Sequence, residues 1–258
     1  MQTTSRPPSG TAVSVLSPLR WLALGWRDFT ANPLPGLLHG VLLSAFGALL
    51  FLVARDHFWG LAGAFSGFLI VAPVLASGLY HVSREARRGR AVSSRDVWRV
   101  WFSGERRLMS FGLLLALAGT GWVLTSAGLI TLWAPAEVAN PGDFVRHVVL
   151  APSPGLFEVW ILLGALLAAP VFASSVITLP MLMDTQAPVW IAVGESWRAV
   201  GSHPLVMALW AFLIVLLVTA GLVTLTLGLI VVVPVLGHAS WHAYEDLKST
   251  GSISAVSV

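Results

Sequence analysis

The 258 residues are 56% hydrophobic and only 10% charged, whereas a soluble domain carries roughly 25% charge, so a water-soluble globule is excluded in favour of a polytopic membrane protein. A pI of about 10.2 would suggest nucleic acid in a soluble protein, but here the basic residues border apolar blocks, where membrane topology accounts for them and no nucleic acid is expected. Cysteine is absent, which excludes disulfides, thiolate metal sites and thiol catalysis.

In chain order, residues 1–17 are rich in Pro, Ser and Thr, lack an apolar core and read as a disordered cytoplasmic N-terminus without a cleavable signal peptide. The stretch WLALGWRDFTANP follows. It predicts an amphipathic helix lying on the cytoplasmic membrane surface, with Trp21, Leu24, Trp26 and Phe29 towards lipid and Arg20 and Arg27 towards headgroups. Spans are expected at about 34–54, 58–82, 108–134 and 156–183. Small residues spaced by four mark packing faces: Gly36, Gly40, Ser44 and Ala48 on the first span, Gly63 and Gly67 on the second, Ala165, Ala169 and Ala173 on the fourth. The block Leu205–Leu236 holds no charge. As one helix it would measure roughly 48 Å against a hydrocarbon core of ~30 Å, so it is read as a hairpin split near Gly221–Gly228. That places spans five and six at 204–221 and 226–247, within a membrane domain over 18–248, and leaves 249–258 as a flexible cytoplasmic tail. Trp59, Trp133, Trp190 and Trp241 fall where an interfacial aromatic belt would lie.

Orientation follows from arginine. The loop SREARRGRAVSSRDVWRVWFSGERR carries Arg84, Arg87, Arg88, Arg90, Arg95, Arg99, Arg106 and Arg107, which places it in the cytoplasm. Of fifteen basic residues, only Arg55 and Arg146 fall on the opposite side, leaving thirteen inside. Both termini are then cytoplasmic if the number of spans is even, which favours six. Arg84, Arg87, Arg88 and Arg90 are the candidate contacts to anionic headgroups.

The chain also repeats itself. Trp26, Trp101 and Trp197 each stand seven residues before Pro33, Leu108 and Pro204, where an odd span begins. The even spans share a Pro-led string: PVLASGLYH from Pro73, PVFASSVIT from Pro170 and PVLGHASWH from Pro234, with His81, Thr178 and His242 eight residues on. The expected fold is therefore all-α, with six transmembrane helices in three parallel hairpin repeats, each preceded by a cytoplasmic interfacial helix. The three prolines should kink or break their helices at similar depth and face a shared interior, because lipid cannot satisfy a freed carbonyl.

Polar groups suited to chemistry are few. His238 and His242 share a helical face, with His81 at the repeat-equivalent place, and together with Thr178 they form the candidate polar site. Paired imidazoles could hold haem or a divalent metal. The near-interfacial position instead suggests hydrogen bonding to water or to Asp246, as it does for His39, and no cofactor, metal or catalytic residue is assigned. Glu158 and Asp184 flank the fourth span without a second carboxylate at their depth, and Ser174–Ser175 lack a nearby His.

With WLALGWRDFTANP, APVLASGLYHVSRE and PVLGHASWHAYEDL in view, the chain resembles a bacterial family of predicted integral membrane proteins known only as a domain of unknown function. GHASWHAYEDL is the most specific part, with Ser240 where the family string has Thr. The resemblance implies a multi-pass protein of the bacterial inner membrane and supplies no activity. The expected role is non-enzymatic: a structural, scaffolding or assembly component with a membrane-protein partner or a second copy. The alternatives are a carrier of a small molecule or lipid through a cavity lined by the Pro-containing helices, and a haem or metal protein.

Overall fold

The computed structural model describes residues 13–54, 58–90, 92–151 and 155–254, with no strand among the described residues. The helices are α1 (Ser17–Ala31), α2 (Pro33–Ala54), α3 (Phe58–Arg87), α4 (Ser94–Trp101), α5 (Arg106–Trp133), α6 (Pro141–Phe144), α7 (Leu156–Ser175), α8 (Thr178–Asp184), α9 (Val189–Ser202), α10 (Pro204–Val223) and α11 (Leu229–Ser249), with a π-helical turn at Val145–Val149.

Their ends follow local chemistry. Asn32 and His203, each before a proline, leave the helical region at φ −141°, ψ 74° and φ −134°, ψ 57°. The proline ring disfavours helix in the residue before it but fits the first helical position, so α1/α2 and α9/α10 are two helices bent at a single residue. Asp96 accepts from the Ser93 N–H at 3.0 Å to start α4. Glu158 accepts from the N–H of Gly155, at φ 108°, to start α7 at 3.1 Å, which gives that carboxylate a capping role.

α11 is the central helix, packed against α1, α2, α3 and α10. The short helices take matching positions: α1 packs on α11, α4 on α3 and α9 on α7. Two of the longer helices do so as well, with α2 on α11 and α5 on α3, but α10 has no comparable packing along α7. The main core gathers Trp21, Trp210, Trp241, Tyr244, Phe111 and Met181 where α1, α5, α8, α10 and α11 meet. Trp21 and Trp210 meet edge to face at 5.7 Å.

Close backbone approaches position α11. A Cβ on Gly25 would lie 2.5 Å from the Val235 oxygen, and one on Gly40 would lie 2.2 Å from the Ile230 oxygen. Ile230 is the residue whose carbonyl Pro234 leaves without its usual helical donor, so α2 covers that carbonyl. Gly36, Gly40 and Ser44 are buried on this face and Ala48 is exposed. The Leu205–Leu236 block turns at 224–228, with Leu225 and Thr226 in the left-handed region at φ 52° and 68°. A β-branched residue is strained there, and Thr226 is held by donating from its hydroxyl to the Ser44 oxygen at 3.0 Å.

Several expectations are corrected. Among the described residues four helical segments are long and apolar enough to cross a membrane: Pro33–Leu50, Arg106–Trp133, Leu156–Asp184 and Pro204–Val223. α11 is not one of them; its second half carries His238, His242, Glu245 and Asp246 and is largely buried within the protein. The six-helix, three-hairpin arrangement is therefore not established. The face expected to meet lipid on α1 is divided: Trp21 and Phe29, with Gly25, are buried against the protein, while Trp26 is exposed. Trp241 is core rather than belt. The tail docks as far as residue 254, with Ile253 buried and the Ser254 N–H donating to Glu195 at 2.8 Å; residues 255–258, like residues 1–12, lie outside the described residues. So do the side chain of Trp59 and the face at Gly63 and Gly67.

The prolines also depart from expectation. Helix continues through Pro73, Pro170 and Pro234. The fourth block breaks further on, at Val176 and Ile177, where the Ile177 N–H donates to the buried Ser196 hydroxyl of α9 at 3.1 Å. Pro73 and Pro234 are buried, but Pro170 is exposed on a lateral groove between α5 and α7, so the three do not share an interior.

Candidate functional site

The most concentrated polar chemistry lies where α1, α3 and α11 meet. Asp28 Oδ2 accepts from the Ser83 hydroxyl at 2.7 Å and from His242 Nε2 at 2.9 Å. Ser83 Oγ in turn lies 2.7 Å from His238 Nδ1. An ionised carboxylate only accepts, so the Ser83 proton points at Asp28 and His238 must donate from Nδ1. This assigns the tautomers: His238 is protonated at Nδ1 and His242 at Nε2. The remaining nitrogens, His238 Nε2 and His242 Nδ1, are buried without a hydrogen-bond partner among the described residues. Ser83 and His238 are fully buried and His242 nearly so. Burial raises the Asp28 pKa, but the bonds from His242 and Ser83 and the nearby histidines outweigh it, holding the carboxyl below its ordinary 3.8.

A second contact ties α2, α3 and α4. His39 Nε2 and Trp101 Nε1 both lie 3.1 Å from the Leu75 oxygen, with the two rings 4.7 Å apart. Gly78 makes room for them, since a Cβ there would come within 2.5 Å of His39 Nε2.

Ion pairs crowd the arginine-rich end. Glu85 takes Arg88 and Arg90, with Arg84 at 3.6 Å, and Arg87 pairs with Glu245 at 3.4 Å. All four candidate headgroup arginines thus have carboxylates of the protein beside them. Arg90 and Arg88 hold the Glu85 carboxyl below its ordinary value against the upward push of burial. Asp184 accepts from Tyr244 and Lys248, and Asp246 from Trp21 and Arg20. Arg84 and Arg107 reach the carbonyls that end α8: Arg84 donates to Met183 at 2.8 Å and Arg107 to Thr185 at 2.9 Å.

Of the sequence candidates, His238 and His242 come together. His81 sits beside Arg84, at 3.2 Å, and Thr178 donates to the Ser174 oxygen at 2.6 Å, so neither joins them. His242 is held by Asp28, not by Asp246. Sequence reasoning missed Asp28 and Ser83. The available signal was Asp28 itself, the one acidic residue in α1. Among the described residues no three His, Asp or Glu side chains are grouped to hold a metal. The Ser83 hydroxyl gives its proton to Asp28 and accepts from His238, so the serine-to-imidazole donation on which a Ser–His–Asp triad depends is not made. This geometry joins three helices through one carboxylate.

The larger open spaces are lateral and apolar. One, of about 470 Å³, is lined by Phe111, Leu114, Trp122, Leu167, Pro170 and Ser174. Its neighbour, of about 540 Å³, is lined by Trp122, Trp160, Ile161, Gly164, Ala168 and Val171.

The stretch from α3 through α8 has a known counterpart. Residues 61–184 match a family described as predicted integral membrane protein (DUF2189). That is a family of unknown function, and the match covers just under half of the chain, including APVLASGLYHVSRE. The strings WLALGWRDFTANP and GHASWHAYEDL lie outside the matched residues. The match and the apolar helices together make this a multi-pass integral membrane protein. No curated protein and no solved structure matches the chain.

Proposed function

We propose that this protein is a non-enzymatic structural, scaffolding or assembly component of a membrane complex. The observation that carries the reading is the α5/α7 pair. Within Leu156–Asp184 the 18-residue apolar window is only 11% buried inside the protein, so that part of the helix keeps most of its surface for something else. Its small residues Ala165 and Ala169 are exposed, although a small-xxx-small face serves to let another helix approach. A partner helix or a second copy would pack there. The buried Asp28 cluster then acts as internal glue that holds the frame.

The proposed setting is the bacterial inner membrane, with six spans in three parallel hairpins, both termini cytoplasmic, and the Arg84–Arg90 segment near anionic headgroups. The serial packing of α1 on α11, α4 on α3 and α9 on α7 supports the repeat, since each short helix meets the proline-containing helix of the preceding unit. The second reading, a carrier, rests on the lateral apolar grooves, which suit an acyl chain better than a polar solute.

Affinity purification in mild detergent with mass spectrometry tests both, using wild type and a double substitution, Ala165→Leu with Ala169→Leu. Both positions are exposed, so the fold is expected to survive. Under the scaffold reading one partner, or a second copy, co-purifies at fixed stoichiometry and is lost in the variant. Lipid or solute retained without any protein partner favours the carrier.

A further inference from the structure

We infer that the lateral groove beside Gly121 holds an acyl chain of one anionic phospholipid, bound as a resident part of the protein. The groove, of about 470 Å³, is walled by Phe111, Leu114 and Ala118 of α5 and by Leu167, Pro170 and Ser174 of α7. It is open because α5 is small on this side: a Cβ on Gly121 would meet nothing within 4 Å, and Ala118 is exposed. From Phe111 to Thr125 the groove follows α5 for about 21 Å. Its volume spread over that length is a channel roughly 5 Å across, whereas a helix with its side chains measures about 10–12 Å. An acyl chain fits such a channel and a partner helix does not. One leaflet supplies about half of a ~30 Å hydrocarbon core, so the groove is long enough to take one chain over its full depth.

One end of the groove is polar. Trp160 of α7 donates to Ser126 of α5 at 2.7 Å, and a Cβ on Gly164 would lie 3.1 Å from the Trp122 ring. This antiparallel register brings Ser174 beside Phe111, near the start of α5. Ser174 Oγ accepts from Trp197 Nε1 of α9 at 3.0 Å and donates to no group among the described residues, which leaves its proton for an ester carbonyl. Trp197 is itself exposed, as suits an indole at the membrane interface. Five residues before Phe111, Arg106 is exposed and has no ion-pair partner among the described residues, since the adjacent Glu105 is taken by Arg107. Its guanidinium is a free positive charge about 7 Å along the helix from the groove, the complement of an anionic headgroup. Ala165 and Ala169, the proposed partner contacts, do not line the groove, so a lipid here is compatible with a partner there. The site shares its groove with the carrier reading but requires no transport.

For the test, the full-length protein in mild detergent is equilibrated with an equal mixture of phosphatidylglycerol and phosphatidylcholine, and retained lipid is read by native mass spectrometry. Gly121→Leu and, independently, Ala118→Leu fill the groove from exposed positions, so the fold is expected to survive, with circular dichroism as the check. Arg106→Gln removes the headgroup charge. Ala165→Leu with Ala169→Leu is the control away from the groove. Wild type should retain phosphatidylglycerol selectively, and both filling variants should lose most of it. Arg106→Gln should bind it about fivefold more weakly, the effect of one arginine beside an anionic group. The α7 double variant should retain it unchanged. Equal retention of the two lipids, or retention that neither filling variant lowers, overturns the proposal. So does an equal loss in the α7 double variant, which would put the lipid on the partner face instead. Lipid and protein partners are read as separate masses, so failure of the scaffold reading is scored apart from failure of this site.

Discussion

Asp28 does three things with one carboxylate: it orders Ser83, it fixes the tautomer of His242, and through Ser83 it fixes that of His238. Its pKa lies below the ordinary 3.8. A depressed carboxyl contributes stability that is fully present above its unfolded value and is lost as pH falls through the folded value. Wild type should therefore show a loss of thermal stability in detergent beginning below about pH 4 that Asp28→Asn lacks. The two melting curves should be well separated at pH 7 and converge under acid; a constant separation across that range would remove Asp28 from the titration. Ser83→Ala leaves the His238 Nδ1–H and one Asp28 contact unpaired in a buried site, at a cost of about 1–3 kcal/mol. Urea unfolding of the purified protein should show that loss at neutral pH.

Among the elements, contact between α2 and α11 depends on missing atoms. Gly40 lies so close to the Ile230 backbone that any side chain must push the helices apart. Gly40→Val should lower stability by about 1–3 kcal/mol through overpacking. Gly121→Ala on α5 meets nothing within 4 Å and should be neutral or slightly stabilising, since Ala favours helix over Gly. Thermal unfolding of the two variants side by side checks this. If Gly40→Val melts like wild type, the close approach of these helices is wrong. The same logic explains why a proline at 234 is tolerated within α11: the carbonyl it frees is covered by α2 rather than by lipid.

For the molecule as a whole, the number of crossings is the open quantity. Four segments qualify by length and hydropathy alone. Six are expected if α3 and α11 also cross while shielded by their neighbours, and a helix shielded by protein can carry polar residues that a lipid-facing one cannot. Reporter fusions after Gly89 and after Val258 should both report the cytoplasm, and a fusion after Asp143 the periplasm. A C-terminus reported outside would require an odd number of crossings and would dismantle the paired-hairpin arrangement. The packing of α1, α4 and α9 fits a cyclic repeat, and the lack of comparable α7–α10 packing is where the cycle opens. Ala165 and Ala169 are exposed on this same helix α7, which is why the partner test is aimed there.

Composition alone determined that this is a helical membrane protein, because 56% hydrophobic residues in blocks of span length leave no soluble alternative. The Trp–Pro spacing also located the starts of α2 at Pro33 and α10 at Pro204, since proline suits the first helical position and constrains the residue before it. The pairing of His238 and His242 on one face was legible too, as a matter of helical period. What they bind was not. Asp28 and Ser83 are far from them in sequence and reach them only because α1 and α3 pack on α11. The same holds for Pro170, whose string matches those of Pro73 and Pro234 yet which faces a groove rather than a core. Local propensity acts through neighbours in the chain, whereas burial and hydrogen-bond partners depend on which helices meet, and only the tertiary structure decides that.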